Sequence, residues 1–260
     1  MAAIGFFDSG IGGLAVLARA ARRLPGENFL FLGDKVHAPY GGKSREEITR
    51  LAVTAADRLA ERELKALVVA CNTATSAAIQ TLRQRYPFPV IGMEPALKPA
   101  LSREDNRRIL VLATPATLRL DKFRALLHRY EEYQERVISL PCPKLSLLVE
   151  DKGPDSPETE AYLRELCGNI PPGSVGGVVL GCTHYIFLRD TVRRVLGDVE
   201  LYDGVEGTVN QLARQCGLTM GGEVLPWQPR TVFLTEDSAG ELPLFHRFME
   251  MAWEGDARDP

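Results

Sequence analysis

The sequence has no excess of positive charge. Its 31 lysine and arginine residues are outnumbered by 34 aspartate and glutamate residues, which leaves a formal net charge of −3. Such a chain has no overall positive field that would gather a polyanion such as DNA. We therefore expect no nucleic-acid partner, although local basic pairs remain at Arg22-Arg23 and Arg193-Arg194.

Long apolar runs are also missing. The stretch 66–82 carries no formal charge, but it is interrupted by Asn72, Thr73 and further polar residues, and the sequence predicts no membrane span. The N-terminus lacks the basic segment and the uninterrupted apolar run of a secretory signal. These two absences favour a cytoplasmic protein that does not enter a membrane.

Closely spaced cysteines are absent as well. The five cysteines stand at positions 71, 142, 167, 182 and 216, an odd number with wide separations. This pattern suits neither a disulfide framework nor a zinc site. We expect reduced thiols, no metal site and no cofactor, since no pyridoxal-binding signature is visible either.

What the sequence does contain is a regular alternation of short apolar runs with helical patterns. With 45% hydrophobic and 25% charged residues, the chain can form one large core or two modest ones. The alternation is typical of βαβ units around a mostly parallel sheet. The predicted strands are Ile4–Phe7, Phe29–Leu32, Leu67–Ala70, Val90–Ile91, Ile109–Leu112, Val178–Leu180 and Glu200–Tyr202. Helix starts are predicted at the capping box Ser44–Glu47 and at Ser156–Glu158.

The chain also contains an internal repeat. Val68–Thr73 resembles Val179–His184, and the cysteines of the two segments lie 182 − 71 = 111 residues apart. The opening strand Ile4–Asp8 matches Ile109–Ala113 at a slightly shorter offset, 109 − 4 = 105. The repeat predicts two similar α/β halves.

Each repeated cysteine stands where an apolar strand ends and a helix begins, which is where open α/β sheets bind ligands. Either cysteine alone is best explained as a small buried apolar residue. Packing does not account for matching placement in both halves, so we predict that Cys71 and Cys182 face one cleft. Each is expected near helix amides that lower a thiol pKa. Cys142, Cys167 and Cys216 lack this context and are interpreted as structural.

A glycine-rich segment, Asp8–Gly13, directly follows the first strand. It is compatible with a simple capped turn. It also matches a dinucleotide-binding loop, because Gly10, Gly12 and Ala15 satisfy the pattern G-x-G-x-x-A. Asp34 ends the second strand about 20 residues further on, as that motif requires. However, a carboxylate at Asp8 suits a free α-ammonium group better than a pyrophosphate.

The polar segment 33–42 contains Tyr40 among glycines and precedes a capped helix. One interpretation is an ordinary turn. The other is a lid in which Tyr40 supplies a hydroxyl and the glycines expose backbone amides to a carboxylate.

Next to Cys182, His184 is a candidate proton partner, and Glu150 is a candidate for orienting its imidazole ring. Each is a weak signal alone, since a histidine near a helix start is often only a cap.

Taken together, these segments resemble glutamate racemases, cofactor-independent members of the aspartate/glutamate racemase superfamily. The matching segments follow the family order over nearly the whole chain up to about Thr208. They are FFDSGIGGL at 6–14, the GD…PYG pattern at 33–41 followed by Lys43-Ser44, ACNTA at 70–74, PCPKLSLLVE at 141–150, LGCTH at 180–184 and YDGVEGT at 202–208.

The resemblance implies a set of site residues. The catalytic cysteines are Cys71 and Cys182; Asp8 stands beside the first, His184 beside the second, and Glu150 supports the histidine. The implied substrate contacts are Asp8, Ser9, Tyr40, Gly41, Asn72, Thr73, Thr75 and Thr183. Two positions depart from the family pattern. Thr75 replaces a common serine but keeps its hydroxyl, whereas Ile186 replaces a frequent proline and changes the turn beside Cys182.

The resemblance also implies the architecture and the activity. Two similar α/β domains with mostly parallel sheets, 1–97 and 98–206, enclose the active site in a cleft, and the segment 207–260 returns to the first domain. The implied reaction converts L-glutamate to D-glutamate for peptidoglycan, with glutamate as the small-molecule substrate and a homodimer as the assembly. Two thiols on opposite faces of the α-carbon remove and supply the proton without rotating the substrate.

Three alternatives remain open at this stage. The chain is a racemase for aspartate or a related amino acid, an NAD-dependent oxidoreductase built on Gly10, Gly12 and Ala15, or a binding module that keeps the cleft without turnover. The paired cysteines count against the last two.

Overall fold

Two parallel β-sheets form the frame of the protein, as described by a computed structural model over residues 2–103, 105–235 and 237–258. The strands are β1 (Ala3–Asp8), β2 (Phe29–Gly33), β3 (Leu64–Val69), β4 (Val90–Gly92), β5 (Arg108–Ala113), β6 (Val137–Pro141), β7 (Val175–Leu180), β8 (Glu200–Tyr202) and β9 (Thr231–Leu234). The α-helices are α1 (Leu14–Arg23), α2 (Arg45–Ala60), α3 (Asn72–Arg85), α4 (Leu97–Leu101), α5 (Pro115–Arg119), α6 (Asp121–His128), α7 (Leu145–Asp151), α8 (Pro157–Leu166), α9 (Arg189–Leu196), α10 (Val205–Cys216) and α11 (Ser238–Arg258).

The two sheets repeat one topology. The first has the strand order β4-β3-β1-β2-β9 and the second the order β6-β5-β7-β8, so β5 corresponds to β1 and β7 to β3. A shift in strand register is repeated as well. It occurs between Ala3 and Ile4, where β1 pairs with β3, and between Arg108 and Ile109, where β5 pairs with β7. The described strand pairs are all parallel. The predicted α/β class and the repeated halves are therefore confirmed.

Two strands were not predicted from the sequence, β6 and β9. Both lie at an edge of their sheet, and most of their residues are only partly buried. This exposure distinguishes them from the central strands, which are covered on both faces. The predicted helix starts are confirmed, since Ser44 Oγ accepts the amide of Glu47 and Ser156 Oγ accepts that of Thr159, both at 3.2 Å.

The chain crosses between the sheets twice, after β4 and after β8. The two crossings touch, because a Cβ atom at Gly204 would lie only 2.5 Å from the carbonyl oxygen of Glu94. After the second crossing, β9 pairs with β2, and both α10 and α11 pack on α1. The last segment thus lies against the first sheet; the predicted boundaries near residues 97 and 206 stay a prediction.

No helix in the described ranges is both long enough and apolar enough to cross a membrane.

Candidate active site

A cavity of about 20 Å³ lies where the carboxyl ends of strands from both sheets meet. Cys71 reaches it from the end of β3 and Cys182 from the end of β7, the corresponding strand of the other sheet. Parallel strands present their carboxyl ends at one edge, which explains why equivalent positions of the repeat come together here. The predicted site residues that line the cavity are Ser9, Tyr40, Gly41, Cys71, Thr73, Glu150, Cys182 and His184.

Cys71 is the residue that caps α3. Its sulfur accepts the backbone amide of Ala74 at 3.4 Å and lies 3.2 Å from the Ser9 hydroxyl oxygen. The prediction of a lowered thiol pKa is nevertheless wrong for this cysteine. Burial above all, and then the Asp8 carboxylate, raises the pKa of Cys71 to about 12. The two hydrogen-bond partners oppose this shift but do not cancel it, because the thiol is 4% exposed and has lost its hydration.

Cys182 has different neighbours. It precedes a short 3₁₀ helix, Thr183–Leu188, instead of an α-helix, and its sulfur makes no capping hydrogen bond. The predicted contact with His184 is present, with 3.8 Å between the sulfur and Nδ1. The predicted support by Glu150 is present as well, since Oε1 lies 2.7 Å from His184 Nε2.

The histidine and the glutamate form a buried ion pair. Burial opposes a charged imidazole, but the contacts with Cys182 and Glu150 raise the pKa of His184 well above its ordinary value. Burial also opposes ionisation of the carboxyl group, yet His184 and then Lys35 lower the pKa of Glu150 to about 2. The imidazolium therefore lies next to the sulfur of Cys182, and the Glu150 carboxylate balances its charge from the opposite edge of the ring.

Asp8 links the two halves. Its carboxylate accepts the amide of Gly10 at 2.9 Å and the hydroxyl of Thr183, from the other half, at 3.0 Å. The aspartate is fully buried, and burial raises its pKa, with His184 opposing the shift. Ser9 rather than Asp8 is therefore the hydrogen-bond partner of the Cys71 sulfur in the described contacts, while the Asp8 carboxylate acts on that thiol through its charge.

The glycines of segment 8–13 allow the two halves to touch. A Cβ atom at Gly10 would lie 2.5 Å from Glu150 Oε1, and one at Gly12 would lie 2.4 Å from Thr183 Oγ1. These positions face the second half of the protein and leave no room for a pyrophosphate at the same place. Asp34 is also engaged, because it accepts the Tyr40 hydroxyl at 2.6 Å and lies 2.8 Å from His37 Nδ1. The dinucleotide-binding interpretation is not supported by this geometry.

The predicted polar contacts of α3 differ from one another. The Oδ1 and Nδ2 atoms of Asn72 are both buried without a hydrogen-bond partner. Leaving such polar atoms unpaired destabilises the fold unless a ligand bonds to them. Thr73 lies in a cluster of hydroxyls, 2.9 Å from Thr114 Oγ1 and 3.0 Å from Thr117 Oγ1. Thr75 instead donates its hydroxyl to the carbonyl oxygen of Val69 at 3.0 Å, so that group is already satisfied within the first half.

Sequence reasoning did not identify several residues at this site. Thr114 and Thr117 begin α5 in the second half, and only the fold brings them to Thr73. Lys35 follows β2 and pairs with Glu150 across the two halves. Pro39 and Leu147 line the cavity. The chain order carries no signal for these contacts, since each joins segments far apart in sequence.

Comparison with known proteins gives a consistent result. Residues 12–212 match the model of the family described as Asp/Glu/Hydantoin racemase. A glutamate racemase of Clostridium perfringens (strain SM101 / Type A) is 44% identical over 216 residues, covering 82% of this chain and 83% of the relative.

Solved structures agree with the sequence relatives. A glutamate racemase isoform from Bacillus anthracis superposes with a TM-score of 0.81 at 31% identity, covering 98% of this chain and 94% of its own. A glutamate racemase from Francisella tularensis subsp. tularensis SCHU S4, solved in complex with D-glutamate, gives a TM-score of 0.78 at 28% identity, covering 97% and 94%. The resemblance carried by the sequence motifs is confirmed, and the chain belongs to the Asp/Glu/Hydantoin racemase family.

Proposed function

We propose that this chain interconverts L- and D-glutamate by proton transfer between the α-carbon and two cysteines, Cys71 and Cys182. The observation that carries the proposal is that equivalent positions of the two sheets bring two thiols to one cavity. Relatives named glutamate racemases, one of them solved with D-glutamate, support glutamate as the substrate.

The reaction needs one thiolate and one thiol at the start. The thiolate takes the α-hydrogen as a proton, its S–H bond forms, and the C–H electron pair stays on the α-carbon. The opposite thiol then gives its proton to the other face of that carbon and becomes a thiolate. Inversion is complete without rotation of the substrate, and the two sulfurs have exchanged protonation states.

Cys71 needs help to ionise. In the free protein its pKa is raised to about 12 by burial and then by the Asp8 carboxylate, so the thiol form dominates at neutral pH. An α-ammonium group bound at Asp8 would offset the negative charge that opposes thiolate formation. The Ser9 hydroxyl and the Ala74 amide then stabilise the sulfur anion by hydrogen bonds.

Cys182 is served by a different group. The His184 imidazolium contacts the sulfur and is held by Glu150, so it stabilises a thiolate at Cys182 or donates the proton that converts this thiolate to a thiol. The same imidazolium is close enough to Asp8 for their charges to interact.

The α-carboxylate requires hydrogen-bond donors, because in the cofactor-independent reaction that the family resemblance implies, the charge of the neighbouring carbanion spreads onto this carboxylate. The unpartnered amide of Asn72 and the hydroxyls of Thr73 and Thr114 supply donors beside the N-terminus of α3. Preorganised donors of this kind are strongest where water is excluded. A cavity of about 20 Å³ has room for roughly one water molecule, so glutamate enters when the two halves separate and reacts when they close.

The biological setting belongs to the same proposal. We infer a cytoplasmic homodimer whose D-glutamate supplies peptidoglycan synthesis. The family resemblance supports this setting, and the five cysteines are free in the structure, as a reducing compartment requires. Light scattering of the purified protein tests the dimer directly, since a monomer has a mass of 28.7 kDa.

A hydrogen-exchange experiment tests the two-thiol reaction. Each enantiomer of glutamate is converted in D₂O to below about 10% conversion, and the α-deuterium content of both enantiomers is measured after chiral separation. The product should carry deuterium from the first turnover, because its proton comes from a thiol equilibrated with solvent. The remaining substrate should stay mostly protiated. Substantial protium in the product, after correction for residual water, would indicate a single polyprotic base and contradict the proposal.

The same assay separates the substrate alternatives. L-aspartate run beside L-glutamate at equal concentration, without added cofactor, should be converted far more slowly. Faster conversion of aspartate would show that aspartate is the preferred substrate, and it would not contradict the two-thiol mechanism.

A further inference from the structure

Lys35 has no part in the reaction steps proposed above, but it reaches Glu150 from the opposite half of the protein. It stands in the short 3₁₀ helix Lys35–His37 directly after β2. Its ammonium group pairs with Oε2 of Glu150, which belongs to α7 beside the second sheet. The ion pair therefore joins the two sheets next to the cavity.

The two oxygens of Glu150 have separate partners. Oε1 lies 2.7 Å from His184 Nε2 and accepts the amide of Ile11 at 3.3 Å, whereas Oε2 is taken by Lys35. With Oε2 held, rotation of the carboxyl group is restricted, and Oε1 stays directed at the imidazole. Lys35, Glu150, His184 and Cys182 thus form one continuous chain of contacts that ends at a sulfur atom.

Burial distinguishes this ion pair from an ordinary surface pair. The side chains of Lys35 and Glu150 are 22% and 4% exposed. Surface pairs contribute little because water screens them, but a pair with a buried carboxylate is screened much less. Removing one partner of such a pair leaves the other charge poorly compensated.

We propose that Lys35 is a positioning residue for the reaction: it fixes Glu150 across the closed cleft, so that Glu150 holds His184 against Cys182. The inference rests on the proposed function, because it assigns Lys35 to the Cys182 side of a two-thiol reaction. Lys35 itself touches neither sulfur and acts through the glutamate.

The chain offers a matched control. Lys43 follows the same loop, its side chain is 25% exposed, and it pairs with Glu47 at 2.8 Å. That pair lies within the first half at the start of α2 and does not reach the cavity. The substitution Lys43→Met therefore removes a similar charge and ion pair without touching the proposed contact chain.

The test measures single-turnover rates from L- and from D-glutamate separately. Lys35→Met should slow the reaction by about tenfold, and mainly in the direction that His184→Asn slows most. Lys35→Arg should keep most of the activity, since it retains a cation. In a Glu150→Gln background, Lys35→Met should change the rate by less than about twofold, because residues acting in one chain are not additive. Circular dichroism checks that each variant is folded; should Lys35→Met unfold, Lys35→Gln compared with Lys35→Arg serves the same purpose.

The outcomes separate the two proposals. A wild-type protein without glutamate turnover overturns the proposed function, whatever the lysine variants do. An active wild type in which Lys35→Met equals Lys43→Met in both directions overturns the role of Lys35 alone. The role of Lys35 is also overturned if the rate loss in the double variant equals the product of the losses in Lys35→Met and Glu150→Gln. Lys35 then acts independently of the glutamate.

Discussion

The two halves of the protein share a strand order and differ around their cysteines. Cys71 sits at the N-terminus of a regular α-helix, with a hydroxyl and a backbone amide as its neighbours. Cys182 precedes a 3₁₀ helix and has an imidazole that is itself held by a carboxylate. The charge of Asp8 opposes ionisation of the first thiol, whereas the second thiol contacts His184, whose raised pKa favours the imidazolium form.

This difference separates what the repeat determines from what it leaves open. The repeated backbone brings two thiols to one cavity, and the side chains around each thiol determine how readily it ionises. A reaction that begins with one thiolate and one thiol benefits from such unequal surroundings, because identical sites would compete for the same protonation state.

The largest expected effect comes from removing either thiol. Cys71→Ser and Cys182→Ser should each lower racemisation by at least about 1,000-fold in both directions, because a hydroxyl is a far weaker acid than a thiol. The near-isosteric serine should leave the fold intact, as judged by circular dichroism. Normal turnover from L- and from D-glutamate in either variant would show that this cysteine is not catalytic. The comparison between the surroundings of the two thiols would then say nothing about the reaction.

A smaller effect, of about 10 to 100-fold, is expected at the helper residues. His184→Asn and Asp8→Asn should slow opposite directions in single-turnover experiments, since His184 contacts Cys182 while the charge of Asp8 acts on Cys71. The equilibrium ratio of the enantiomers must stay unchanged. Equal slowing of both directions by both variants would show that the helpers are shared between the thiols.

The smallest effect concerns the free protein and sharpens the comparison without any substrate. With its pKa raised to about 12 by burial and by Asp8, Cys71 should react slowly with iodoacetamide at pH 8. Its rate should rise about tenfold per pH unit up to pH 10, since only the thiolate reacts. Asp8→Asn removes the opposing charge and should accelerate this alkylation by at least about threefold, even as racemisation falls. Peptide mapping by mass spectrometry measures alkylation of Cys71 separately from that of the other cysteines. An unchanged alkylation rate in Asp8→Asn would mean that Asp8 does not control the pKa of this thiol.

Much of the fold could be predicted from the sequence, because the buried strands carry uninterrupted apolar runs. The edge strands β6 and β9, most of whose residues are only partly buried, were not predicted. The sequence also predicted the caps at Ser44 and Ser156 correctly, because capping depends on residues only three positions apart.

The candidate site was predictable to the extent that its residues form local motifs. Cys71, Cys182 and His184 lie in repeated strings, and their gathering in one cavity follows from the parallel sheets. The contacts of Lys35 and Thr114 depend on how the halves meet, which no local pattern contains. The raised pKa of Cys71 was also missed, because the motif reveals the helix amides but not the depth of burial that outweighs them.

The contact between the two chain crossings has a consequence for how the protein moves. Since Gly204 lies against Glu94, the halves are joined by two covalent connections at a single point. Two adjacent connections act as a pivot, which permits rotation of one half about the other and resists sliding or full separation. The opening that we propose for substrate entry is then a rotation about this contact, and the same two connections keep the halves adjacent while the cleft is open.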